Sequence, residues 1–178
     1  MRLGVRWSTR LAGAVIASLV ASGCGGGGGD ADATVSAPVT AGVAPLPGLP
    51  PQTAGFEAWP RVNARPIAAS PDTPHGDRKV VRLNRELSRV ARDGRFVTPL
   101  PPGTVVVKTG GRGADSMAFV SVMEKVPEYD PQHGDWRFTE YARTAEDAPY
   151  DLLAEASACW DCHAAAAEDR DWIFTQPD

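Results

Sequence analysis

Cys159-Trp160-Asp161-Cys162-His163 lies close to the C-terminus, and its reading decides how the rest of the chain is organised. Two thiols three positions apart, with a histidine directly after the second, form the attachment pattern of a c-type haem. The thiols add across the two vinyl groups of the porphyrin, and the histidine is placed to give an imidazole nitrogen to the iron. On a helix these positions share one face, so Cys159, Cys162 and His163 point at one ligand. A redox dithiol, a zinc half-site and a structural disulfide are the competing readings. A redox pair needs no following histidine, and zinc needs further ligands. The chain has no second Cys/His cluster, its other histidines being His75 and His133.

Covalent haem attachment requires export, and the N-terminus carries an export pattern. Arg2, Arg6 and Arg10 precede an uncharged run from Leu11 to Val20, which is too short to span a bilayer. Residues 1–23 therefore read as a signal peptide. Its end, Ala21-Ser22-Gly23-Cys24, resembles a bacterial lipobox, in which the cysteine becomes the lipidated N-terminus. Ordinary cleavage leaving Cys24 free is the alternative. Gly25 after the cysteine favours the outer membrane by the same resemblance. With Cys24 on lipid and Cys159 and Cys162 on haem, no thiol remains for a disulfide. Cleavage removes three arginines and no acidic residue, so the formal charge falls from -4 to -7, which argues against nucleic acid as a partner.

Residues 24–55 begin with a glycine run and continue in Ala, Val, Thr and Pro, with Asp30 and Asp32 as the only charges. Such a segment buries too little apolar surface to offset its ordering entropy, so it reads as a flexible tether spanning ~30 Å. Residues 56–178 suffice for one domain with its own core. In it, 78–83 reads as a strand. Asn84 then caps a helix carrying Leu87, Val90 and Ala91, closed by Gly94.

After a proline-rich loop, Gly103-Thr104-Val105-Val106-Val107-Lys108 is a β-branched strand, and Thr109-Gly110-Gly111-Arg112-Gly113 turns the chain. Residues 117–125 and 136–141 supply partner strands, and the short connections predict an antiparallel sheet. A last helix is expected from Asp147, with Leu152, Leu153, Ala156, Cys159, Trp160 and His163 as its core-facing stripe. The expected fold class is therefore α+β: an antiparallel β-sheet packed with a few helices around one c-type haem, with the haem motif on the C-terminal helix.

Beyond the haem motif, several features occur together in one order. They are Phe56 with Trp59, the Pro102 to Lys108 strand, Gly134-Asp135-Trp136-Arg137-Phe138, and Asp171-Trp172-Ile173-Phe174-Thr175 after the motif. In these the chain resembles the cytochrome P-460 family over essentially the whole domain. The resemblance implies a dimeric, sheet-rich fold with a five-coordinate c-type haem, histidine on the proximal side and an open distal side. In the hydroxylamine-oxidising members a lysine amine is also bonded to a meso carbon of the porphyrin, and Lys108 falls on that position. It would serve both as cofactor-binding and as catalytic residue, with electrons passing to a redox partner.

Two departures stand out. Thr109 follows Lys108 where the crosslinking members usually have glutamate, and a short glycine turn replaces a longer loop. Those members also use a distal carboxylate for proton transfer, for which Glu124 and Glu155 are candidates, against a reading of both as surface charges. Relatives called cytochrome c′-beta have an apolar residue at the lysine position and bind nitric oxide or carbon monoxide without oxidising hydroxylamine. A third class, the two-ligand electron carrier, needs Met117, Met123, His75 or His133 on the iron.

Overall fold

The computed structural model describes residues 42–71 and 74–178. The expected signal peptide, the lipidation site Cys24 and most of the expected tether lie outside the described residues. The part of the tether that is described is already folded: Leu46 and Leu49 pack on the domain, and Pro51–Thr53 form a single 3₁₀ turn. The packed chain thus begins before Phe56, because Leu49 finds an apolar surface that composition alone does not reveal.

The first strand, β1, spans Asp77–Leu83. A one-turn helix, α1 (Leu87–Val90), leads into a hairpin of β2 (Ala91–Arg92) and β3 (Arg95–Phe96). This corrects the longer helix expected between Asn84 and Gly94. Asp93 and Gly94 both have positive φ, 50° and 71°, which is the two-residue turn that matches strand twist, so Gly94 turns a hairpin and does not close a helix. Asn84 caps nothing helical. Its side chain instead binds the Gly103 carbonyl at 2.9 Å and the Val105 amide at 2.8 Å, fixing where the next strand starts.

Four further strands follow: β4 (Val105–Arg112), β5 (Asp115–Lys125), β6 (Trp136–Ala142) and β7 (Asp151–Glu155). They join β1 in one five-stranded antiparallel sheet of order β1-β4-β5-β6-β7. β4 is the central element of both cores. Val105 and Val107 pack on one face with Phe56, Trp59, Val120, Val122 and Tyr150, while Val106 packs on the other with Leu83, Met123 and Phe138. A strand covered on both faces reads as a continuous valine run and not as an alternation. Each such valine contributes about 1.5–3 kcal/mol by burial. β4 also extends through the glycines expected to form the turn, and the chain reverses at Gly113 and Ala114.

Residues 151–155, expected as helix, pair with β6 instead. The free edge of β6 offers a hydrogen-bonding row that outweighs the helical spacing of the leucines, and Leu152 and Leu153 are exposed on this edge strand. Ala156, at φ 53°, then breaks the chain direction, and α2 (Ser157–His163) follows. A short α3 (Ala167–Arg170) precedes the C-terminal segment.

Candidate functional site

The helix α2, one face of the sheet and the C-terminal segment line a cleft of about 1280 Å³. Cys159, Cys162 and His163 line it from α2; Lys79, Lys108 and Glu140 line it from β1, β4 and β6. A smaller apolar recess continues from it, walled by Val81, Val106, Met123 and Phe138. The helix is short, yet it brings its first, fourth and fifth motif positions onto the cleft as the spacing predicts.

His163 is held in a defined state. Its Nδ1 lies 2.7 Å from the Trp172 carbonyl oxygen, so Nδ1–H donates and Nε2 keeps its lone pair. The rings of Phe138 and Phe174 stand edge-on to it at 5.2 and 5.3 Å. Burial lowers its pKa to about 4, with Lys108 and His75 adding to the effect and the Trp172 bond opposing it. The imidazole is therefore neutral at physiological pH, as a metal-ligating histidine must be.

The carbonyl of Trp172 is positioned by its neighbour. Asp171, buried, receives both Lys125 Nζ contacts at 2.7 Å, the Trp136 indole N–H at 3.1 Å and the Leu100 amide at 2.8 Å. Both Asp171 and Trp172 take positive φ, which turns the chain back beneath α2. Trp160 of the motif stacks on His133 at 4.0 Å, and His133 Nδ1 binds Asp130 at 2.6 Å. His133 is thereby occupied away from the cleft lining, whereas His75 lines the cleft. Met117 packs with the opposite core, and Met123 walls the recess.

The sheet side is organised by register. Val81 pairs with Lys108, Lys108 with Ser121, and Ser121 with Glu140, so these four side chains stand in one row on one face. Burial lowers the Lys108 amine to a pKa of about 8; Glu140 acts against this and Lys79 with it. Glu140 is the carboxylate that the sheet presents to the cleft. Its Oε1 lies 2.7 Å from His75 Nδ1, which is also 2.9 Å from Ser121 Oγ. Glu124 is instead bound to Arg137 and Gln52, and Glu155 is exposed at the end of β7. Neither lines the cleft. Glu140 went unread in the sequence although a signal existed: in Trp136-Arg137-Phe138-Thr139-Glu140, strand alternation puts the carboxylate on the buried side with Trp136 and Phe138.

These residues fit a covalently held haem. The cleft exceeds the usual 300–1,000 Å³ range of small-ligand pockets, it offers two free thiols and a neutral imidazole on one side, and its recess is apolar. A redox dithiol fits poorly. Burial and nearby carboxylates push the Cys159 thiol up to about 11, whereas reactive dithiols have depressed values. Among the described residues no group of three or more His, Cys, Asp or Glu side chains comes together as a direct metal site, so a zinc half-site fits poorly as well.

A family model described as Cytochrome P460 matches residues 53–175, which takes in the whole sheet, α2 and the segment after it. No curated protein matches the chain.

Proposed function

The chain belongs to the cytochrome P460 family and is a haem cytochrome, and we propose that it oxidises hydroxylamine or a related small nitrogen compound in the cleft between α2 and the sheet. The observation that carries this reading is the placement of Lys108 and Glu140 in one row of the sheet, facing the cleft that Cys159, Cys162 and His163 line. One haem c would be held by thioethers from Cys159 and Cys162, with His163 Nε2 as the protein ligand. When bound, the haem supplies the redox-active iron and the conjugated ring through which electrons leave.

The side chains divide the remaining work. Lys108, whose neutral fraction burial raises well above that of a free lysine, would be the nucleophilic amine for a bond to the porphyrin edge, formed with loss of one N–H and one ring C–H hydrogen as protons and of two electrons to an added oxidant. Glu140 is placed to take protons that the substrate nitrogen loses on oxidation. Trp172 holds the His163 ring in its ligating tautomer. Electrons pass to a soluble redox partner. The domain works on the periplasmic side of the outer membrane, tethered by lipid at Cys24, as a homodimer. The exposed Leu152 and Leu153 on the edge strand β7 support self-association.

A second reading is favoured by the recess: Val81, Val106, Met123 and Phe138 make an apolar wall suited to nitric oxide or carbon monoxide, as in a c′-beta-type binding protein. Lys108 decides between the two. Wild-type protein should consume hydroxylamine with an artificial oxidant and show a ferrous absorption well to the red of an ordinary c-type haem. Lys108→Ala should keep its haem and lose both properties. Identical spectra for the two proteins would remove the crosslink and leave gas binding as the better reading.

A further inference from the structure

The reaction proposed above leaves His75 without a role, yet the fold holds this residue firmly in the cleft. His75 has φ 76°, a conformation that costs a non-glycine residue of order 1–3 kcal/mol and persists only where its surroundings enforce it. The enforcing contact is a glycine interlock. A Cβ on Gly110 would collide with the His75 carbonyl oxygen, and a Cβ on Gly76 would collide with the Gly111 carbonyl. The glycine pair that reads as a turn is therefore a seat, inside β4, for the His75 corner.

The seat aims the ring at Glu140. His75 Nδ1 stands 2.7 Å from Glu140 Oε1 and 2.9 Å from Ser121 Oγ, and the two side chains are 15% and 11% exposed. A carboxylate oxygen and a ring nitrogen at that separation are joined by one hydrogen bond, which is a path for a proton between them. The Ser121 hydroxyl reaches both groups, at 2.9 Å from Nδ1 and 3.5 Å from Oε1, so it can accept from a protonated Nδ1 or donate to the carboxylate. The other ionisable groups that line the cleft around this pair are Lys79 from β1, Lys108 from β4, Cys159, Cys162 and His163 from α2, and Arg65 and Asp178. Lys79 Nζ lies 3.3 Å from the Gly76 carbonyl, next to the His75 corner.

We propose that His75 is the proton-holding partner of Glu140. A proton released by the substrate, whose electron pair stays on the substrate, is taken by the Glu140 carboxylate and crosses to His75 Nδ1. The pair then carries it as carboxylate and imidazolium, the ring returns one proton to water from Nε2, and proton exchange with water restores the starting tautomer, Nε2–H with a bare Nδ1, before the next turnover. His75 acts through Glu140 and is in this sense a positioning residue. The assignment rests on the hydroxylamine-oxidising reading of the cleft.

The test uses haem-loaded wild type, His75→Gln, His75→Ala, Ser121→Ala and Glu140→Gln, with two measurements. The first is kcat for hydroxylamine against pH. Glutamine can hold Glu140 by a hydrogen bond but cannot carry a proton, so His75→Gln should fall at least about tenfold and lose the wild-type pH limb. Added imidazole should partly restore His75→Ala. The second needs no turnover: the C–O stretch of the ferrous carbon monoxide adduct should move with pH in wild type and Ser121→Ala, and stay fixed in His75→Gln and Glu140→Gln. A pH-dependent stretch in a wild type that does not oxidise hydroxylamine would sink the reaction and keep the His75–Glu140 pair. Wild-type behaviour of His75→Gln in both measurements overturns the proposal. So does a low-spin wild-type spectrum that His75→Gln turns high-spin, because His75 would then be an iron ligand.

Discussion

His163 donates its Nδ1 hydrogen to the main-chain carbonyl of Trp172, nine residues on, at 2.7 Å. This single bond ties the last residue of the haem motif to the segment that follows it. It fixes the tautomer, orients the ring between Phe138 and Phe174, and leaves Nε2 free. Because the acceptor is backbone, it survives any change of the Trp172 side chain that leaves the chain path intact.

The haem should therefore be covalent and five-coordinate. It should stay on the denatured polypeptide after acid-acetone extraction from wild type, and Cys159→Ala with Cys162→Ala should release it. The ferric and ferrous spectra at neutral pH should be high-spin. Free extraction of haem from wild type would refute the assignment of Cys159 and Cys162.

The chain path beneath His163 depends on Asp171. Removing its carboxylate leaves the Lys125 ammonium buried beside Trp136, and breaking such a pair costs about 3–5 kcal/mol. Asp171→Ala should lower the denaturant midpoint by a corresponding amount and broaden the haem spectrum as His163 loses its fixed acceptor. A stability loss under about 1 kcal/mol would show that Lys125 finds another partner.

Lys108 gives a pH test with a defined sign. Burial lowers its pKa from 10.5 to about 8, so the neutral, nucleophilic fraction at pH 7 is about one tenth, against well under a thousandth for an unperturbed lysine. In haem-loaded protein not yet crosslinked, at constant oxidant, the red-shifted band should grow about tenfold faster per pH unit up to pH about 8 and level off above it. A rate still rising steeply to pH 10 would mean that the amine is solvated.

Location is tested at Cys24. Wild-type protein should sediment with membranes after cell disruption, and Cys24→Ser should be released to the supernatant. Equal recovery of both in the supernatant would exclude a lipid anchor.

The local arrangement of this protein was legible in its sequence, because helical spacing and β-branched runs carry their meaning within a few residues. Cys159, Cys162 and His163 line one cleft as their spacing predicts, and Val105 to Val107 form a strand as their side-chain shape predicts. What depended on residues far apart was not legible. Glu140 meets Lys108 only because two strand registers through Ser121 set them in one row, and no local pattern encodes a register. His75 and the glycines of β4 interlock across more than thirty residues, which gave Gly110 and Gly111 the look of a turn. Leu152 and Leu153 carry helical spacing, yet the unpaired edge of β6 recruits them as a strand. Spacing thus determined which groups can react. Tertiary pairing, which trades local preference for hydrogen bonds and buried surface gained elsewhere, decided which of them stand together.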